Sequence, residues 1–217
     1  MADNFYTNVI QKQNTLLIRA IENGKRVQHK VRHKPTFYFP TKKKSKFKTL
    51  KGKPVESIQL SSIGDAREFL GQYRDQPDLV HGMERYPYVW IADNYDGYVE
   101  WNMDKILMLT IDIEVASENG FPDPGLAEEE VLAITIKNHR TKKIIVWGIY
   151  DYNNSRDDVE YMHCIDESEL LEQFVGFMVE VQPDVITGWN TTFFDVPYLA
   201  NRITKLFGDK MRNNMSP

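Results

Sequence analysis

Two carboxylates stand two residues apart in the most apolar strand-like stretch of this 217-residue sequence, KILMLTIDIEVAS, which begins at Lys105. In an extended chain, alternation puts Leu107, Leu109, Ile111, Ile113 and Val115 on one face, and Ile106, Met108, Thr110, Asp112 and Glu114 on the other. Asp112 and Glu114 therefore point the same way, their Cα atoms roughly 6.6 Å apart. From that separation two side chains can bracket metal ions about 3.5–4 Å apart, and oxygen-only ligands suit magnesium or manganese. Like charges at the end of a hydrophobic strand are costly unless cations offset them. The alternative is that the pair marks the solvated end of an edge strand. A third acid, Asp195, follows the only other strongly buried strand candidate, in the segment GWNTTFFDVPYL, and joins the pair if the two strands are neighbours. As a residue opening a helix it also suits an N-cap, and cap and ligand are compatible roles.

Other chemistries find no support. The histidines at 29, 33, 81, 139 and 163 lack metal-ligand spacing, Ser61-Ser62 has no nucleophile-elbow context, and no P-loop occurs. The single cysteine, Cys164, excludes an intramolecular disulfide, reads as packing, and fits a reducing compartment. The opening MADNFYTNVI lacks a basic flank followed by an apolar core, and no run approaches the roughly 18 apolar residues of a bilayer span, so a cytoplasmic protein without a membrane partner is expected.

Net charge is −4, but it is unevenly spread: residues 25–54 hold twelve Lys or Arg and no Asp or Glu, leaving −16 elsewhere. Lys42, Lys43, Lys44 and Lys46, interleaved with Phe37, Tyr38, Phe39 and Phe47, suit a single-stranded nucleic-acid surface, and equally a solvated lysine loop.

The length and the 41% hydrophobic content allow one large domain or two smaller ones. Over residues 1–103 the pattern predicts a small β-rich unit. FYTNVI and TLLIRAIE read as strands, with a hairpin at Asn23-Gly24 into KRVQHKVRH. DAREFLGQYR reads as a helix, and YPYVWIADNY returns to strand character. Over 104–217 the expected order is βββαβα. The strand of Asp112 is followed by VLAITIKN and KKIIVWGIY as antiparallel neighbours, then a helix capped by Asp166 and Glu169 and stopped by Pro183. A buried strand DVITGWN comes next, then the helix DVPYLANRITKLF with Asp195 at its cap.

With these residues in place, TIDIEVAS resembles the first exonuclease motif of family B DNA polymerases, and GWNTTFFDVPYLANRI the second. ENGFPDPGLAEEEVLAITI and NGKRVQHKVRHKPTFYF are similar to the T-even bacteriophage branch. The resemblance covers essentially the whole chain. It implies an α+β or α/β architecture in which the small β-rich domain precedes a truncated RNase H-like 3′→5′ exonuclease domain, a mixed sheet flanked by helices. It further implies that Asp112, Glu114 and Asp195 hold two divalent ions, that Phe121 stacks on a frayed terminal base, and that Asn190 and Phe194 help position the strand. The implied partners are the DNA 3′ end, the template strand, the remainder of a polymerase chain and, through absent regions, a sliding clamp and replisome proteins in an infected host cell. The family's third exonuclease motif, a Tyr with an Asp after three intervening residues, does not occur in these residues. A fragment, nearly inactive by itself, is therefore expected.

Overall fold

In the first unit, hydrophobic alternation and turn chemistry build a three-stranded meander. Strands β1 (Phe5–Lys12), β2 (Thr15–Glu22) and β3 (Lys25–Val31) pair antiparallel in that order. Leu16, Ile18 and Ala20, every second residue of β2, are buried. The β2–β3 turn is Asn23-Gly24, with φ of 51° and 76°; a two-residue hairpin turn needs both to be positive, as the sequence predicts. The computed structural model describes residues 4–118 and 120–216. The chain divides into two units, Met1–Lys105 and Ile106–Pro217. Among the described residues no helix is long and apolar enough to cross a membrane.

The same unit holds a second sheet of β4 (Thr36–Pro40), β5 (Phe47–Lys48) and β6 (Pro54–Gln59), in the order β4-β6-β5. Helix α1 (Ile63–Gln72) starts where the Ser62 side chain accepts the Asp65 amide, and it buries Ile63 and Ala66. YPYVWIADN is a helix, α2 (Tyr86–Asn94), and not the strand expected from its aromatic content. Pro87 lies in its first turn, where no amide hydrogen is needed. Tyr86 and Trp90, four residues apart, pack into one cluster with Leu16, Ile18 and Phe37, while Tyr88 faces solvent. The Asn94 side chain donates from Nδ2 to the Trp90 carbonyl in the last turn at 2.8 Å.

The second unit is a five-stranded mixed sheet with helices. Strands β7 (Met108–Val115), β8 (Val131–Asn138) and β9 (Ile144–Gly148) run antiparallel; β10 (Val159–His163) is parallel to β9. Helix α3 (Glu167–Val181) then leads to β11 (Val185–Thr187), parallel to β7, and helices α4 (Asp195–Phe207) and α5 (Asp209–Asn213) follow. The strand order is β10-β9-β8-β7-β11. Leu109, Ile111 and Ile113 of β7 form one core with Leu170 and Phe174 of α3 and Tyr198, Leu199 and Ile203 of α4. Asp166 caps α3 by accepting the Glu169 amide, and Gln182 ends the helix in the left-handed region at φ 46°.

Three expectations are corrected. The order is ββββαβα with a short final helix, because β10 forms where residues 159–163 pair one for one with β9. DVITGWN is not a buried strand: β11 spans three residues at the sheet edge, with Val185 and Ile186 over a third exposed. Asp195 is the first residue of α4, and Phe194 occupies the cap position.

A buried ion pair fastens the helices to the sheet. Arg202 of α4 grips Glu167 of α3 with two bonds, Nε to Oε1 at 2.8 Å and Nη2 to Oε2 at 2.6 Å, and Glu167 Oε1 also accepts the Val131 amide that begins β8. Removing one partner leaves the other buried and uncompensated, so Arg202→Met should cost about 3–5 kcal/mol. The double change Glu167→Leu with Arg202→Met should recover most of that loss. Urea unfolding followed by circular dichroism checks both; a neutral Arg202→Met would mean the pair contributes nothing.

Candidate metal centre

Strand β7 presents Asp112 and Glu114 to solvent while its other face is buried through Leu109, Ile111 and Ile113. The two acids therefore share a face. Neither carboxylate takes a hydrogen bond or ion pair from a protein group among the described residues. Thr110, on that face, has its hydroxyl 2.7 Å from His139 Nε2.

Asp195 reaches the main chain of β7 because β11 is short. Its ladder with β7 ends at Thr187 opposite Thr110, leaving the Ile113 amide without a strand partner on that side. Asp195 Oδ1 accepts that amide at 3.1 Å. The acid is 4% exposed. Burial raises its carboxyl above the ordinary value and the charge of Asp112 raises it further, while its own amide and that of Ile113 act in the opposite direction. Asp195 and Asp112 are thus electrostatic neighbours across the end of β7.

The loop between β11 and α4 needs glycine at one point. A Cβ on Gly188 would lie 2.5 Å from the Ile111 carbonyl oxygen and 2.2 Å from Thr191 Oγ1, so only glycine lets the chain pass this close to β7. Asn190 then turns at φ 55°, its carbonyl accepting the amides of Phe193 and Phe194. Phe121 is 86% exposed, yet its ring lies 5.3 Å from that of Phe194, which in turn lies 5.6 Å from Tyr198. The structure thus brings Phe121, Phe194 and Asp195 to the N-terminal end of α4, with exposed Asn190 in the preceding turn.

Sequence reasoning passed over several residues here. Trp189 and Phe193 flank Asn190 and are almost fully exposed, and Tyr198, Asn201 and Arg202 bind the carbonyls of the chain that follows Phe121. The helical spacing of these last three was the available signal.

Lys42, Lys43, Lys44 and Lys46 are exposed in the first unit. Of the interleaved aromatics, Phe37 is core and Phe39 packs on Phe69 and Tyr73. Tyr38 and Phe47 lie 5.1 Å apart and line a hollow of about 270 Å³ with Lys48, Thr49, Val55 and His81. Lys46 Nζ lies 4.8 Å over the Phe47 ring.

The donor chemistry of the three acids fits a hard divalent cation. All are carboxylates, two are unpaired by protein groups, and the buried third commits Oδ1 to Ile113 and has Oδ2 to offer. Among the described residues no three His, Cys, Asp or Glu side chains close on one point, so the acids are gathered on one side without converging.

Residues 91–215 match the family model described as DNA polymerase family B, exonuclease domain. The chain is 27% identical to the DNA-directed DNA polymerase of Escherichia phage RB69 and 28% identical to that of Enterobacteria phage T4, in each case over 98% of this chain. It spans about a quarter of the length of either relative. The DNA polymerase delta catalytic subunit of Drosophila melanogaster is 30% identical over 52% of this chain and 10% of that protein.

An acid whose pKa is raised on folding binds its proton more tightly in the folded state, so its contribution to stability falls as pH rises from the unfolded value near 3.8 through the folded one. Asp195→Asn keeps the oxygen that Ile113 needs and removes the buried charge. In chelator the variant should be more stable than the parent at neutral pH, and the difference should vanish as pH falls to 3.8. Urea midpoints across that window check it; a parent at least as stable at neutral pH contradicts the desolvation of Asp195.

Proposed function

Since the chain belongs to the family B DNA polymerases through their exonuclease domain, we propose that it supplies the acid centre of a two-metal 3′→5′ proofreading exonuclease that acts on single-stranded DNA ends. One observation carries the reading: Asp195 is held to the main chain of β7 between the two outward acids, by its 3.1 Å bond to Ile113. In this reading Asp112, Glu114 and Asp195 hold magnesium or manganese ions, which when bound supply an activated water and charge neutralisation at the scissile phosphate. The Ile113 amide fixes Asp195, so that its free oxygen keeps one direction. Burial makes the uncompensated anion costly and favours a cation beside it. The Phe121 and Phe194 rings receive the last base, and Asn190 offers an amide to the strand behind it. The product is a deoxynucleoside monophosphate.

The family's third motif is not among these 217 residues, and in this reading a further segment of a polymerase chain completes the site. Template strand, sliding clamp and replisome contacts belong to the same proposal. The test is release of a 3′ label from a single-stranded oligonucleotide with magnesium, by this chain and by one extended through the third motif. The extended chain should be active, and Asp112→Ala with Glu114→Ala should cost it about a thousandfold, roughly 4 kcal/mol of transition-state stabilisation. Undiminished activity in that double variant sinks the assignment.

A second reading concerns the basic segment, and two features favour it: the hollow lined by Tyr38 and Phe47, and the Lys46 ammonium over the Phe47 ring. Weak, sequence-tolerant binding of a single strand is expected there, with about four phosphate contacts and a salt slope near −3. Changing Lys42, Lys43, Lys44 and Lys46 to Ser should flatten that slope while Asp112→Ala leaves it intact. An unchanged affinity and slope in the lysine variant would make the tract a solvated loop.

A further inference from the structure

Helix α4 hydrogen-bonds the chain downstream of Phe121 through that chain's carbonyls. Asn201 Nδ2 donates to the Pro124 carbonyl at 2.8 Å, and Tyr198 Oη donates to Glu129 at 2.7 Å. Arg202 Nη1 donates to the carbonyls of Ala127 and Glu128 at 3.2 and 2.6 Å. Four carbonyls within residues 124–129 are thus held by three side chains at i, i+3 and i+4, one face of one helix. The loop needs holding. Ala127 is fully buried at φ 43°, a left-handed conformation that costs an alanine about 1–2 kcal/mol by itself. Its amide closes a turn on the Asp123 carbonyl at 2.8 Å.

The first turn of α4 carries Asp195, and the preceding residue, Phe194, is the ring on which Phe121 rests. Ring and acid are therefore referred to one rigid body. We propose that Asn201, the tether nearest Phe121, is a positioning residue that holds the Phe121 ring over Phe194 in register with Asp195 for the terminal base. The inference rests on the proposed exonuclease reading for its ligand, and on the hydrogen bonds alone for the tether. Asn201 differs from its two companions in being exposed. Tyr198 is core and Arg202 neutralises Glu167, so either change disturbs the fold, whereas Asn201 touches the loop without supporting the sheet.

The experiment uses the full 217-residue chain carrying 4-fluorophenylalanine at position 121. Asn201→Ala removes the amide donor and favours the helix, so a melted α4 cannot explain its effect. Its fluorine resonance should move most of the way from the parent's position to that of Phe194→Leu, with the urea midpoint unchanged; Asn201→Ser, too short to reach Pro124, should do the same. A resonance that stays at the parent's position in both variants overturns the tether. The second arm measures binding, in chelator, of a single-stranded oligonucleotide ending in 2-aminopurine, whose fluorescence is quenched when a ring stacks on it. Asn201→Ala should bind about fivefold more weakly than the parent, as expected for partial loss of one base–ring stack. Equal affinity and quenching in parent and variant, with the fluorine resonance moved, overturns the positioning role. A parent that shows no quenching, with the fluorine resonance responding as expected, counts against the exonuclease reading and leaves the tether standing.

Discussion

The arrangement of the second unit depends on the Ile113 amide. A central strand whose neighbour stops early has a donor turned toward nothing, and a buried amide left unpaired costs about as much as a lost hydrogen bond. β11 stops at Thr187 opposite Thr110, and the Ile113 amide, three residues further along β7, is met by Asp195. That single bond explains why α4 begins where it does, why its first residue is a buried acid, and why the intervening turn needs Gly188 to pass under the Ile111 carbonyl. An apolar residue at 195 would leave the amide unpaired; an acid satisfies it and carries a charge beside Asp112.

Glu167 and Arg202 solve a similar problem at the start of β8, which pairs with the end of β7. Glu167 accepts the first amide of β8, and its charge, 6% exposed, requires a partner. Arg202 supplies that partner through two parallel bonds and turns its remaining donors to the loop. Glu167 and Arg202 therefore link a chain of bonds that runs from the start of β8 through α3 and α4 to the loop carrying Phe121.

What the sequence made legible were features governed by neighbours along the chain. The alternation around Asp112 and Glu114, the positive-φ pair at Asn23-Gly24 and the Asp166–Glu169 cap are local, and each is found as read. Features decided by distant partners were not legible. Residues 86–94 hold enough aromatic and branched side chains to suit a strand, and only the packing of Tyr86 and Trp90 against β2 selects a helix. β10 exists because β9 offers an open edge. The apolar Val185 and Ile186 suggested a buried strand, but three residues at an edge cannot be covered on every side. At the candidate site, the acid types and their shared face came from spacing; the burial of Asp195 and the contact of Phe121 with Phe194 came from tertiary structure.

The hydrogen bonds from α4 to residues 124–129 all fall on carbonyl oxygens, which every amino acid possesses. They fix the path of that segment and are indifferent to most of the side chains along it. Substitutions at Glu128 or Leu126 can therefore accumulate without moving the ring upstream, while α4 itself has little such freedom. Variation and constraint are divided between two touching pieces of chain, and the helix bears nearly all of the constraint.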